Sequence, residues 1–287
     1  MSEDSLVPGG PGRRRHRLSD AETEQRMLRT ATEMVNRSGL TVSLEHISFE
    51  DIIRDAGVAR SAVYRRWQYK DQFFSDLLKE LARGSSPAIG TDNRAAVETV
   101  RRTILDHLDW LSDPGLRCAL VAEVLRRGTL EEFETLHESA EWRTYLALHA
   151  TFLSLPDGEL RREIRSALTE SEGALIARLA DAYKRAAGLL GLRLRPELNA
   201  SFATLARLTS ATIRGLVIMA PSNVGIGDHR TQARPFGTPN AAEWSEPALG
   251  VAGLVESFLE PDPDIEWDEE RTEALRHALN SEDWLST

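Results

Sequence analysis

Ala56-Gly57-Val58-Ala59-Arg60-Ser61-Ala62-Val63-Tyr64-Arg65-Arg66-Trp67-Gln68-Tyr69-Lys70-Asp71 places one glycine between two short segments of helical apolar spacing. Upstream, Ser48-Phe49-Glu50-Asp51 is an N-cap signal, and Phe49, Ile52, Ile53 and Ala56 make a single apolar face. Gly57 ends that helix, because glycine enters left-handed backbone without the penalty a side chain brings. Downstream, a second short helix from about Arg60 to Trp67 keeps Val63 and Trp67 on one side and leaves Arg60, Ser61, Tyr64 and Arg65 on others. Two short helices joined in this way form a helix-turn-helix, whose second helix has the width to lie in the major groove of B-DNA. Val63 is spaced to point back at Ile52, Ile53 and Ala56 and so to fix the angle between the two helices.

The flanking sequence completes the module. Ser19-Asp20-Ala21-Glu22 has the capping-box pattern, Met27, Ala31, Met34 and Val35 follow at helical spacing, and Ser38-Gly39 closes this first helix. Lys70 and Asp71 open a further helix with Phe73, Phe74, Leu77, Leu78 and Leu81 on its apolar face, ending near Gly84-Ser85-Ser86-Pro87 at a domain junction. Residues 1–18 combine Pro8, Gly9, Gly10, Pro11 and Gly12 with Arg13, Arg14, Arg15 and Arg17, a composition that builds no core and reads as a flexible basic arm. The expected organisation is therefore an arm over 1–18, a helix-turn-helix domain over 19–84 and a helical body over 85–287. The net charge of −10 argues against a nucleic-acid partner only until its distribution is considered. Residues 1–84 hold 14 Lys and Arg against 13 Asp and Glu, and the remainder holds 21 against 32, so the acidity belongs to the body.

Ala56 to Asp71 resembles the signature of TetR-family transcription regulators, in which an Ala-Gly-Val turn leads into a recognition helix carrying a tyrosine, an aromatic residue and then a Lys-Glu pair. The resemblance extends from Ser19 to about Leu81, with Ile53 standing where the family usually has alanine and a longer connection between Gly39 and Ser48. It implies an all-α protein in which a three-helix DNA-binding head precedes a larger ligand-binding and dimerisation domain. The implied partners are double-stranded DNA, a second copy of the chain and a small-molecule effector; the implied role is a repressor that leaves an inverted-repeat operator when the effector binds. Carried onto this sequence, the resemblance puts Lys70 where its ammonium and the free amides of a helix N-terminus favour a phosphate, and Tyr64 on the DNA backbone. Ser48, Arg60, Ser61, Ala62, Tyr64, Arg65, Arg66 and Lys70 are the candidate DNA contacts, joined by Arg13, Arg14 and Arg15 of the arm. Arg60, Ser61 and Arg65 are candidates for base edges, since arginine holds guanine O6 and N7 with paired hydrogen bonds, while Arg66 suits a phosphate. The arm either enters a minor groove or remains a solvated tail that adds nonspecific affinity. Val63 and Trp67 are expected in the core.

Beyond residue 90 the pattern is helix after helix, expected near 93–111, 116–127, 130–153, 158–190, 196–219, 247–259 and 269–284, with no convincing strand and a long mobile loop over Pro221 to Pro247. Residues 196–220, with Leu198, Phe202, Leu205, Thr209, Ile213 and Leu216, suit a dimer interface, partnered by 158–190 or 247–259. Polar and aromatic residues on otherwise apolar faces mark the candidate ligand pocket: His107, Trp110, Trp142, Tyr145 and His149, with Phe152 beside them. A packed core histidine or aromatic is the commoner fate of such residues.

Several classes are disfavoured. No stretch approaches the roughly 18 uninterrupted apolar residues of a membrane span, the basic N-terminus lacks the apolar run of a secretory signal, and a cytoplasmic protein is expected by default. The single cysteine, Cys118, permits neither an internal disulfide nor a multi-cysteine zinc site, and neither a metal nor a cofactor is expected. A nucleophile elbow, a His-Glu-x-x-His motif and a P-loop are all missing, and Gly225-Ile226-Gly227 lacks a third glycine, so the chain does not read as an enzyme. The alternative is a helical protein-interaction module without specific DNA binding; a footprint on duplex DNA separates the two.

Overall fold

The computed structural model describes residues 18–38, 47–84, 94–223, 225–281 and 284–285, and among these the chain is an all-α assembly with two short β-pairs. The arm with Arg13, Arg14, Arg15 and Arg17, and Gly39, lie outside the described residues. Helix α1 (Asp20–Ser38) begins on the anticipated capping box: the Glu22 amide donates to Ser19 Oγ at 3.2 Å, and the Ser19 amide donates to the Glu22 carboxylate at 2.7 Å. Helix α2 (Phe49–Ala56) is capped by Ser48, whose Oγ accepts the Asp51 amide at 3.3 Å, and it stops at Gly57, which stands at φ 64°. Helices α3 (Arg60–Arg66) and α4 (Lys70–Arg83) follow at once.

These four helices close over Met27, Ala31, Val35, Phe49, Ile52, Ile53, Val63, Trp67, Phe73 and Leu77. Phe73 sits 5.0 Å from both Phe49 and Trp67, edge-on to the latter, and the Trp67 indole donates to Asp76 at 2.9 Å. Leu148, Ile164 and Leu168, from further along the chain, enter this same core, so the head is seated on the body through apolar contact.

The body contains α5 (Arg94–Leu105), α6 (Pro114–Glu138), α7 (Ala140–Ser154), α8 (Glu159–Leu189), α9 (Phe202–Met219), α10 (Glu246–Phe258) and α11 (Glu269–Leu279). Strand β1 (Leu192–Leu194) pairs antiparallel with β4 (Leu259–Pro261), and β2 (Thr231–Ala233) pairs antiparallel with β3 (Ala242–Trp244). Helix α6 packs against α5 and α10, and α9 lies between α8 and α10.

Four expectations are corrected. The predicted break near 128 is absent: a β-carbon on Gly128 would stand 3.0 Å from Val100 Cγ2, so this glycine permits close packing of α6 on α5 and the helix runs on to Glu138. The real break is at Ser139, whose hydroxyl caps α7. The Pro221 to Pro247 stretch is no open loop, because its β2–β3 hairpin carries Trp244 into a packing site against Ala122, Ala248 and Ala252. Finally, Leu205, Thr209 and Ile213, expected at a dimer interface, are buried inside their own subunit, because that stripe of α9 faces α8 and α10. Cys118 is packed beside the main body core, and burial pushes its thiol up to about 11, which keeps it protonated and unreactive.

Because Gly57 supplies left-handed backbone with open space around its α-carbon, Gly57→Ala is expected to lose about 1–2 kcal/mol of stability through backbone strain alone, read as a lowered urea midpoint.

Candidate nucleic-acid interface and interior cavity

Helix α3 shows water its polar side. Val63 and Trp67 are fully buried beneath it, while the side chains of Arg60 and Arg65 are 71% and 46% exposed and Tyr64 is 44% exposed. Ser61 is exposed, Ala62 is half-buried, and Lys70 stands exposed at the start of α4 with its ammonium 5.2 Å over the Phe74 ring. Ser48 is exposed, and its hydroxyl accepts the Asp51 amide in the α2 cap.

The arginines of α3 are each matched by a carboxylate of the same chain. Arg60 and Tyr64 both donate to Glu50, Tyr64 at 3.0 Å; Arg65 reaches Asp20; Arg66 holds Glu24 with two hydrogen bonds at 2.9 and 3.1 Å and approaches Asp76 at 3.4 Å. The hydrogen bond to Glu50 raises the Tyr64 hydroxyl above its ordinary value. Exposed pairs of this kind are each worth about 0–1 kcal/mol, so Arg60 and Arg65 are held loosely enough to exchange partners. Arg66 differs, since its bidentate grip on Glu24 bridges α3 to α1. Glu50, Asp20 and Glu24 had no visible sequence signal as partners, because the pairing joins residues brought together only by the fold.

Inside the body, α5, α6, α8, α9 and α10 line a partly open apolar cavity of about 190 Å³, walled by Val97, Val100, Val121, Leu179, Leu205 and Val251 among others. None of the five candidate pocket residues lines it. His107 instead hydrogen-bonds the Thr103 carbonyl through Nδ1 at 2.9 Å and meets Trp110 edge-on at 4.4 Å.

Trp142, Tyr145 and His149 do come together, around two residues that sequence reasoning missed, Glu172 of α8 and Arg214 of α9. Tyr145 stacks on Trp142 at 4.9 Å and donates to Glu172; Arg214 donates to Glu172 at 2.9 Å and lies over both rings; His149 Nε2 is 3.6 Å from the same carboxylate. Tyr145 and Thr144 also border a wide cleft of about 1090 Å³ between α1 and α4 of the head and α6 and α7 of the body. Burial alone would push the Glu172 carboxyl up, but the neighbouring His149, the hydrogen bond from Tyr145 and the Arg214 charge outweigh it and bring it from 4.5 down to about 2. Burial meanwhile pushes the Tyr145 hydroxyl up, so that it stays a donor.

No family model matches the chain, and no curated protein matches it. Among solved structures, the crystal structure of a "putative transcriptional regulator from Rhodococcus sp. RHA1" aligns with 81% of this chain and 93% of its own length, at 16% identity and a TM-score of 0.36.

A carboxyl depressed on folding stabilises fully above its unfolded value and loses that contribution as pH falls towards its folded one, here from about 4.5 to about 2. The melting temperature is therefore expected to fall with acidification through this window, and Glu172→Gln, less stable at neutral pH, is expected to show a flatter decline in pH-dependent calorimetry.

Proposed function

We propose that the chain is a TetR-type transcription regulator: a repressor that binds an inverted-repeat operator as a homodimer and is released by a small molecule held in the body. The observation that carries the DNA-binding part is the outward polar face of α3, a short rod whose inner side chains are fully buried and whose Arg60, Ser61, Tyr64 and Arg65 stand free of the acidic body. Arg60 and Arg65 read base edges in this scheme, and Tyr64 and Lys70 hold the backbone, Lys70 at a helix N-terminus where a phosphate is favoured.

The dimer is supported by α9. The helix and the turn that follows it, Phe202–Ser222, have a mean hydropathy of 1.2, yet the chain itself buries only 33% of that apolar span. The uncovered side carries Leu208, Ala211, Gly215 and Ile218, spaced three and four residues apart, with Met219 beside them. Small residues at the centre of such a stripe let a second helix approach closely, and a second copy of α9 across a two-fold axis meets it with the same pattern.

Release by a ligand is supported by α8, one uninterrupted helix of 31 residues. Its first half places Ile164 and Leu168 in the core of the head, and its second half places Leu179 and Tyr183 at the cavity wall, about 22 Å further along at 1.5 Å per residue. A shift of α8 at the cavity therefore moves the seat of the head, which alters the spacing between two recognition helices; by linkage, operator and ligand then weaken each other.

Selection from a random pool of duplexes tests the reading directly, with an enriched inverted repeat as the expected product. Arg60→Ala is expected to lose about 1–3 kcal/mol of specific affinity and relax one base position, whereas Lys70→Ala weakens all sequences alike. Operator binding untouched by Arg60→Glu combined with Lys70→Glu overturns the interface. Leu208→Asp with Ile218→Asp is expected to give monomers in sedimentation and to abolish binding to the full repeat.

A further inference from the structure

The interior cavity has a chemistry of its own, which narrows what it can hold. Among the described residues its wall contains no Lys, Arg or His and a single carboxyl, Glu132, so an anion placed there meets no cation and gives up its hydration without return. Apolar side chains make up nearly all of the rest of the wall.

Three hydroxyl-bearing side chains, Thr129, Tyr183 and Ser210, interrupt the apolar lining. Ser210 is 94% buried by exposure and its Oγ has no hydrogen-bond partner, although it lies in the cavity wall on α9. A buried hydroxyl left unpaired costs about 1–3 kcal/mol, so it is stabilised by any guest that pairs with it. Tyr183 lines the wall from α8, with its hydroxyl 3.1 Å from Thr209 Oγ1. Thr209 directs its own proton to the Leu205 or Ala206 carbonyl, both at 3.1 Å, which makes Tyr183 the donor in that pair and leaves the Tyr183 oxygen able to accept from a guest.

The volume sets the size. An apolar cavity of about 150 Å³ stays dry and takes benzene, so about 190 Å³ accommodates one ring with a short substituent. We infer that the cavity is a binding site for an uncharged, mainly apolar molecule of single-ring size bearing one hydroxyl or carbonyl group, anchored by the Ser210 hydroxyl. That this guest is the releasing effector rests on the function proposed above; the binding site itself stands on the cavity alone.

The test uses the full chain without DNA and three probes: p-cresol, toluene and benzoate. In titration calorimetry p-cresol is expected to bind once per chain and to raise the melting temperature, toluene to bind several-fold more weakly, and benzoate not to bind. Ser210→Ala, a near-isosteric change, is expected to lower p-cresol affinity to that of toluene and leave toluene unchanged. Ala186→Phe, which fills the wall, is expected to remove both while circular dichroism keeps its helical signal. Failure of p-cresol to bind, benzoate binding as tightly as p-cresol, or p-cresol affinity indifferent to Ser210→Ala overturns the assignment. A p-cresol-loaded protein that still holds its operator unchanged overturns release by this ligand and leaves the cavity assignment standing.

Discussion

Val63 and Trp67 anchor one side of a seven-residue helix, and everything proposed for the N-terminal region depends on that anchorage. So short a helix has no independent stability in water, because nucleation is unfavourable and few hydrogen bonds follow it. It persists because Phe73 packs edge-on against Trp67, Asp76 accepts the indole hydrogen bond, and Gly57-Val58-Ala59 brings the chain round in three residues. With the inner side chains fixed, the rotation of the helix is fixed too, and the polar residues between them have only one direction to face.

The head was legible in the sequence because its determinants are local. A capping serine, a turn glycine and apolar positions at helical spacing act within a few residues of one another, and Ser19, Ser48 and Gly57 all perform as those rules require. The body was legible as a succession of helices but not in its partitions. Gly128 follows the rule for a helix breaker, yet its role is set by Val100, a neighbour nearly thirty positions away in the chain. The apolar stripe on α9 was visible, but which of its two sides meets the subunit's own core depends on where α8 and α10 lie. The polar cluster was half-visible: Trp142, Tyr145 and His149 share one face of α7, whereas Glu172 and Arg214 join them only through the tertiary packing of α8 and α9. The cavity was not legible at all, since a void is defined by what five helices leave unfilled.

The body combines two interiors of opposite character. Around Glu172 of α8 a charged residue is met from α7 and α9 at once, which ties the three helices into one relative arrangement. Around the cavity the same α8 and α9 meet through apolar side chains with space between them. In the proposed function, ionic attachment at one level and looser apolar packing at another give α8 a fixed point about which filling of the pocket acts.

If α3 reads DNA as proposed, the carboxylates that neutralise it set how strongly the chain holds a duplex of any sequence. A cationic protein gains affinity for any duplex by liberating the ions condensed on its phosphates, irrespective of base order. Here Arg60, Arg65 and Arg66 arrive already matched by Glu50, Asp20 and Glu24, so each contact with a duplex begins by surrendering an internal partner. In the proposed function each such exchange offsets a small part of that gain, so nonspecific adhesion is weaker than the number of arginines on α3 alone would give.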